Sequence, residues 1–253
     1  MQALLENLRS VAGEENITTD ALECEYFAQD VYSKSYSAAA VVAPGDKNEL
    51  AAVVKAATES GAAVVARGGG MSYTGGYVPA EENAILIDTS RMNRVLEINR
   101  EDMFVTVEAG ITWSALYEAL KDSGLRTPYW GTLSGLYATV GGSLSQNSIF
   151  FGSGRYGTAA DSVIGMEIVL ADGSILNTGS ASQINASPFF RHFGPDLTGL
   201  FTADCGALGI KATASFRLMP ELPAQAFGSF AFEDHAGMMK AMSEIARQDV
   251  VTE

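Results

Sequence analysis

Between Ala66 and Pro79 the chain reads ARGGGMSYTGGYVP: three consecutive glycines, a Met-Ser-Tyr-Thr spacer, then two more. Glycine at that density lets a backbone take φ > 0 or lets a ligand approach the main chain closely. Successive N–H groups in such a turn form an anion-binding hollow that needs no basic side chain. The residues predict a loop that cradles a pyrophosphate, with a glycine turn that binds nothing as the alternative. A second stretch, PYWGTLSGLYATVGGSLSQNSIFFGSGRYG at 128–157, sets Thr132, Ser134, Thr139, Ser143, Gln146, Asn147 and Ser153 beside Gly141 and Gly142. Hydroxyls, amides and close-approach glycines suit a polyhydroxylated, amide-rich ligand rather than a metal. A Ser/Gly-rich surface loop is the alternative there.

Other chemistries find less support. His192 and His235 are the only histidines and have no ligand spacing between them, so no metal site is predicted. The two cysteines, Cys24 and Cys205, cannot make a disulfide framework, and free thiols of a cytoplasmic protein are favoured over a single bridge. Cys205 lacks a CxxC partner and is expected to be buried and inert. There is no G-x-S-x-G elbow, no Walker GK[ST] and no G-x-G-x-x-G following a strand. Acidic residues outnumber basic ones 30 to 16, for a formal net charge of −14, which argues against an extended nucleic-acid surface. No apolar run approaches the roughly 18 residues of a spanning helix. The start, MQALLENLRS, lacks the basic region of a secretion signal. A cytoplasmic location follows, with peripheral membrane association left open.

Elements that could position these loops are legible. Leu4, Leu5 and Leu8 predict a short amphipathic helix stopped at Gly13. Residues 36–43 read as a strand. Asp46 and Glu49 form a capping box before Leu50, Val53, Val54 and Ala57 at helical spacing. Strands at 62–66 and 84–88 complete a small parallel sheet, with the glycine loop at the carboxyl end of its second strand, where open α/β sheets bind ligands. Beyond Arg91 the pattern turns antiparallel: strands at 95–98 and 104–108, a helix at 112–123, and a hairpin of 166–170 with 174–176 across Ala-Asp-Gly. A short helix at 196–201 and an alternating strand at 211–219 follow. Pro220 and Pro223 mark a boundary. The tail predicts one strand (226–232), an Asp234 cap and one amphipathic helix to about Ala246, too little to enclose a core.

The glycine loop, ATVGGSLSQNS, the RYG…D…GMEIVLADG hairpin and Gly206-Ala207-Leu208-Gly209-Ile210 occur in one order. Together they resemble the FAD-binding (PCMH-type) domain of the vanillyl-alcohol oxidase/p-cresol methylhydroxylase flavoprotein family, most closely its D-lactate and glycolate dehydrogenase branch. The likeness runs from about Tyr36 to Pro220. It implies an α+β fold with FAD between a small parallel three-stranded subdomain and a larger, mainly antiparallel one. The implied organisation is an N-terminal helical segment (1–35), an FAD-binding domain (36–222) and the beginning of an α/β cap domain (223–253).

The resemblance also implies roles. Gly68, Gly69, Gly70, Met71, Ser72, Thr74 and Gly75 would bind the FAD pyrophosphate, mainly through backbone amides. Pro128, Thr132, Thr139, Gly141, Gly142 and Asn147 would line the ribityl chain and flavin ring. Gly206, Gly209 and Ile210 would pack near the ring, and Val163 and Ile164 along the adenosine. Bulk at Gly69 is expected to block the phosphate while leaving the fold intact. Relatives that attach FAD covalently through this loop have histidine where Met71 stands, so no covalent link from it is expected. Cys205 falls at the family's glutamate, and Asp204 is the candidate replacement carboxylate.

The implied activity is oxidation of an alcohol, a 2-hydroxy acid, by hydride transfer to flavin, with electrons passing to dioxygen or a carrier protein. No catalytic base is assigned, because in this family it comes from the cap domain. Tyr129, Trp130, Arg155 and Tyr156 are candidates for the substrate side, Trp130 also for a pocket wall. Two alternatives stand: an FAD-binding electron-transfer subunit of a larger complex, of the molybdenum-hydroxylase medium-subunit type, and a non-catalytic truncated flavin-binding module. A second polypeptide or a further C-terminal half is the implied partner.

Overall fold

The computed structural model describes residues 1–192 and 194–252. Helix α1 (Gln2–Ala12) buries Leu4, Leu8 and Ala12 and ends at Gly13, whose φ of 90° releases the chain. Strand β1 (Ile17–Thr18) follows, then α2 (Ala21–Phe27), capped by the Asp20 carboxylate, which accepts from the N–H groups of Leu22 and Glu23. Next come β2 (Ala40–Val42), α3 (Lys47–Glu59), β3 (Val64–Arg67) and β4 (Ile85–Asp88). The small sheet has order β1-β2-β4-β3; β2, β4 and β3 run parallel, and β1 adds an antiparallel edge. The first 35 residues therefore do more than supply helices, since they extend the sheet. The strand expected over 36–43 is confined to 40–42.

At α3, Asp46 accepts from Asn48 and Glu49 N–H as a cap should, but Glu49 reaches back to Gly45 N–H at 2.7 Å, one residue beyond the cap.

The larger sheet is built from β5 (Val95–Asn99), β6 (Phe104–Glu108), then, after α4 (Trp113–Leu120), β7 (Leu125–Arg126), α5 (Val140–Gln146), α6 (Ser153–Tyr156) and α7 (Ala159–Ser162), the hairpin β8 (Val163–Val169) and β9 (Ile175–Asn177). Helix α8 (Leu197–Leu200), β10 (Ile210–Arg217), β11 (Met219–Pro220) and α9 (His235–Arg247) complete the chain. Its order is β5-β6-β10-β8-β9, antiparallel throughout, and β7 pairs separately with β11.

β10 alternates in residue type as its sequence predicts, yet its polar positions Thr213 and Ser215 are buried too. They are satisfied inside the sheet: the Thr213 hydroxyl donates to Glu167 at 2.9 Å and Ser215 meets Thr106 at 2.8 Å. Helix α3 joins the two sheets. Its Leu50, Val53, Val54 and Ala57 lie in one apolar cluster with Ile85 and Ile87 of β4 and with Val169, Ile210 and Ala212 of β8 and β10. The two layers are thereby locked together.

The C-terminal tail differs from expectation. Residues 226–232 form no strand, and Phe227 is 94% exposed. Without a neighbouring edge to supply ladder bonds, a lone aromatic-rich segment does not settle as a strand. Asp234 does cap α9, accepting from Gly237 N–H at 2.6 Å. Among the described residues no helix is long and apolar enough to cross a membrane.

Candidate cofactor cavity

The parallel strands end at a cavity of about 830 Å³. One wall is the glycine loop, the second the stretch entering and leaving α5, the third the turn before β10. Strand β3 delivers the first wall: the Arg67 carbonyl accepts from Thr89 N–H at 3.1 Å, and the chain turns away at Gly68. The three glycines are needed for close approach. A side chain on Gly68 would overlap the Thr139 hydroxyl, and one on Gly69 the Tyr137 carbonyl. Gly70 has φ +69°, and a Cβ there would overlap the Arg67 guanidinium. Bulk at Gly69 therefore pushes the loop off the opposite wall, so the substitution acts on the packing of two walls as well as on the space for a phosphate. The far end of the loop is held by Asp30, which accepts from Gly75 N–H at 2.6 Å and from Tyr32 and Ser33 N–H. Burial works against that carboxylate, but the Ser33, Gly75 and Tyr32 N–H groups outweigh it and keep its pKa below the ordinary value.

In the second wall, Thr139 caps α5 by accepting from Gly142 N–H at 3.2 Å. Gly141 sits where its N–H reaches the Ala109 carbonyl at 2.7 Å and where a Cβ would meet Ala109 at 2.8 Å. Gly142 is open apart from the Thr139 hydroxyl. Asn147 ends the helix in the left-handed region (φ 46°) and accepts from Ala160 N–H at 3.1 Å. Gln146 ties this wall to the first by accepting from the Thr74 hydroxyl at 3.1 Å.

The third wall is the Thr202–Ile210 turn. Asp204 accepts from Gly206 N–H at 3.0 Å and pairs with Lys211 Nζ at 2.6 Å, both side chains 2% exposed. A carboxylate thus holds this turn from position 204, one residue before Cys205. Desolvation lowers the Lys211 pKa, and the Asp204 partner opposes that shift. Cys205, in the left-handed region at φ +52°, is exposed and lines the cavity, contrary to the buried thiol expected.

Of the residues singled out in the sequence, Gly68, Gly69, Gly70, Met71, Ser72, Thr74, Thr132, Thr139, Gly141, Gly142, Asn147, Gly206 and Ile210 line this one cavity. Gly75, Pro128, Val163, Ile164 and Gly209 do not. Gly75 anchors the loop through Asp30, Val163 belongs to the apolar core, and Gly209 packs against Ile168 of β8. Ile164 stands beside Val163 at the start of β8, and Pro128 is buried. The substrate-side candidates lie elsewhere. Tyr129 is fully buried with its ring 5.1 Å from that of Trp113. Trp130 stacks on the Arg126 guanidinium at 3.9 Å rather than walling the cavity, with Tyr156 on the same guanidinium and Arg155 paired to Asp249 at 3.5 Å. Sequence reasoning missed Arg67, Tyr77, Phe150 and Lys211 in the wall. Only Arg67 carried a signal, its position directly before the glycines.

A family model described as FAD binding domain matches residues 38–179. The chain is 32% identical over 219 residues to Glycolate oxidase subunit GlcD of Bacillus subtilis, covering 85% of this chain and 44% of that protein. It is 32% identical over 209 residues to D-lactate dehydrogenase of Archaeoglobus fulgidus, covering 82% and 45%. Among solved structures it resembles p-cresol methylhydroxylase (TM-score 0.76, 20% identity, 88% of this chain and 44% of that one). It also resembles alkyldihydroxyacetonephosphate synthase (TM-score 0.82, 20% identity, 99% and 46%). The chain spans about half the length of the curated relatives it matches.

Proposed function

Because the chain belongs to the FAD-binding domain family, we propose that its cavity holds FAD and that the protein works as an FAD-linked oxidoreductase on a CH–OH group, with a 2-hydroxy acid as substrate class. The observation that carries this reading is the glycine cradle closing on a second glycine-bearing wall around about 830 Å³. The residues fit the cofactor: side chains at Gly68 and Gly141 would fill the space the walls need, and the donor set is amide and hydroxyl rather than metal-binding. The named relatives, a glycolate oxidase subunit and D-lactate dehydrogenases, support the substrate class.

When bound, FAD supplies the hydride acceptor for alcohol oxidation. The chain's own residues bind, orient and screen. Backbone N–H groups of Gly68–Ser72 would take the diphosphate, with Thr74 and Gln146 closing the loop over it. Thr132, Thr139, Gly141, Gly142 and Asn147 would hold the ribityl chain and ring edge. Ile210 and the Asp204–Lys211 turn would keep water from one side. Met71 offers no imidazole, so retention by this loop is non-covalent. Residues 223–253 read as the opening of a further domain that brings the acid–base group, Glu253 lying outside the described residues. That no residue of α9 is buried supports that reading.

The test is a fluorescence titration of the purified chain with FAD, with acid precipitation afterwards. Saturable quenching and flavin colour in the supernatant are expected. Gly142→Leu, which adds bulk at a cavity-lining position where a Cβ would meet only the Thr139 hydroxyl, should weaken FAD at least about tenfold. Its thermal midpoint should hold, since leucine replaces a helical glycine. A folded, colourless chain that takes up no FAD favours the non-catalytic module. FAD binding together with copurification of a molybdenum or iron–sulfur protein favours the electron-transfer subunit.

A further inference from the structure

Arg67 ends β3 with its side chain in the cavity wall, directly below the glycine loop. Its Cζ stands 4.8 Å from the ring centroid of Phe27, 5.5 Å from Tyr77 and 5.7 Å from Tyr26. Two of those rings come from α2, in the segment before the matched domain. Among the described residues no carboxylate pairs with this guanidinium, and its buried Nε has no hydrogen-bond partner. Asp30, the acid whose charge acts on neighbouring Tyr77, is engaged instead by the N–H groups of Gly75, Tyr32 and Ser33. In a chain with formal net charge −14, a guanidinium left without a counter-charge beside a cavity is conspicuous.

The choice of partners has a consequence. A carboxylate would fix the guanidinium and cancel its charge. Aromatic faces fix it and leave the full positive charge available, at a cost in desolvation that arginine tolerates better than lysine. Gly70 completes the arrangement, because the space its side chain would fill is taken by the guanidinium, which can come up against the loop backbone.

Resting on the FAD reading above, we infer that Arg67, caged by Tyr26, Phe27 and Tyr77, is the cation that offsets the dinucleotide's diphosphate and makes the site prefer a diphosphate-bearing ligand to the bare flavin. The backbone hollow then supplies geometry and Arg67 supplies charge. The N-terminal segment thereby becomes part of the cofactor site, through the rings of α2.

The experiment titrates the full chain and its Arg67→Met and Arg67→Lys variants with FAD, ADP and riboflavin, alongside thermal melts. Arg67→Met should weaken FAD and ADP about ten- to a hundredfold, the range for a hydrogen bond to a charged group. Riboflavin affinity should stay within about twofold, and added salt should weaken FAD less in the variant than in the parent. Arg67→Lys should recover part of the loss. If the parent binds FAD and Arg67→Met binds it equally well, the inference fails and the cofactor reading stands. Equal losses for riboflavin and ADP would make Arg67 a packing residue and also overturn it. Should the parent bind none of the three, both readings fall. Were Arg67→Met to melt below assay temperature, Phe27→Leu, which loosens the cage while keeping the charge, must reduce ADP affinity or the inference fails.

Discussion

α1 and α9 carry the same kind of apolar stripe, yet α1 buries Leu4, Leu8 and Ala12 against α3 whereas α9 buries no residue. The segments around them follow suit. After α1 the chain adds β1 to the small sheet, packs Cys24 of α2 and the following Ala28 against Val41 and Leu86, and fastens the glycine loop through Asp30. Before α9 it runs past Phe227, Phe230 and Phe232, all exposed, and touches the body near Gly154, whose N–H reaches the Thr252 carbonyl at 3.1 Å, and at Arg155. Helical periodicity identifies the apolar face; only a complementary surface turns that face into stability.

The largest effect should come from the helix faces themselves. Leu8 is fully buried, so Leu8→Ala is expected to cost about 2–5 kcal/mol, while Met242→Ala, at a side chain 55% exposed, should stay within about 0.5 kcal/mol. Denaturant unfolding with unchanged slope measures both. Equal losses would mean that α9 is packed in solution, and the contrast between the two ends would vanish.

A smaller, pH-dependent effect separates the two ends at their carboxylates. Asp30 accepts three N–H bonds, and its pKa is held below the ordinary value in the folded state. Its contribution is therefore full above the unfolded value, about 3.9, and is lost as pH falls through the lower folded value. Asp30→Ala should cost about 1–3 kcal/mol near neutral pH, with the gap to the parent closing in acid. Asp249→Asn removes only an exposed pair with Arg155 and should change unfolding by less than about 0.5 kcal/mol. An Asp30→Ala loss that persisted unchanged into acid would show that the carboxylate's charge is not what fastens the loop.

The same contrast explains what was legible in the sequence. Local signals carried the fold: Gly13, the Asp46 cap, the Ala-Asp-Gly hairpin and the alternation of β10 all mark their elements. The glycine loop and the residues around α5 were legible because glycine-dense stretches stand out in sequence, although the contacts that demand the glycines are distant: Gly68 and Gly69 answer to Thr139 and Tyr137, and Gly141 to Ala109. Arg67, Tyr77 and Lys211 were not, since each matters through contacts that no local pattern marks: Arg67 with Tyr26, Phe27 and Tyr77, and Lys211 with Asp204. Pro128, Val163 and Gly209 fell away from the cavity for the converse reason. Their neighbours in sequence line or approach it, but a strand start or a buried turn points them into the core. Residues 226–232 are aromatic-rich like a strand, but pairing decides strands, which no single segment can reveal.

Helix caps give the finest division between the two ends. Asp46 and Asp234 make equivalent bonds, to Asn48 and Glu49 N–H in one case and to Gly237 N–H in the other, and replacing such a cap by alanine costs a helix about 1 kcal/mol. Helix α3 is the layer between the sheets, so that loss must be felt by the whole fold: Asp46→Ala should lower global stability by about 0.5–2 kcal/mol. Helix α9 buries no residue, and the contacts described for its segment, Thr252 to Gly154 and Asp249 to Arg155, are peripheral and lie beyond its last turn. Asp234→Ala should therefore appear as lost helicity and faster amide exchange confined to residues 235–247, with the unfolding midpoint of the remainder unmoved. If Asp234→Ala instead shifted the global midpoint as far as Asp46→Ala does, α9 would be coupled to the body, and the exposed methionines along it would have to be reassigned to an internal interface.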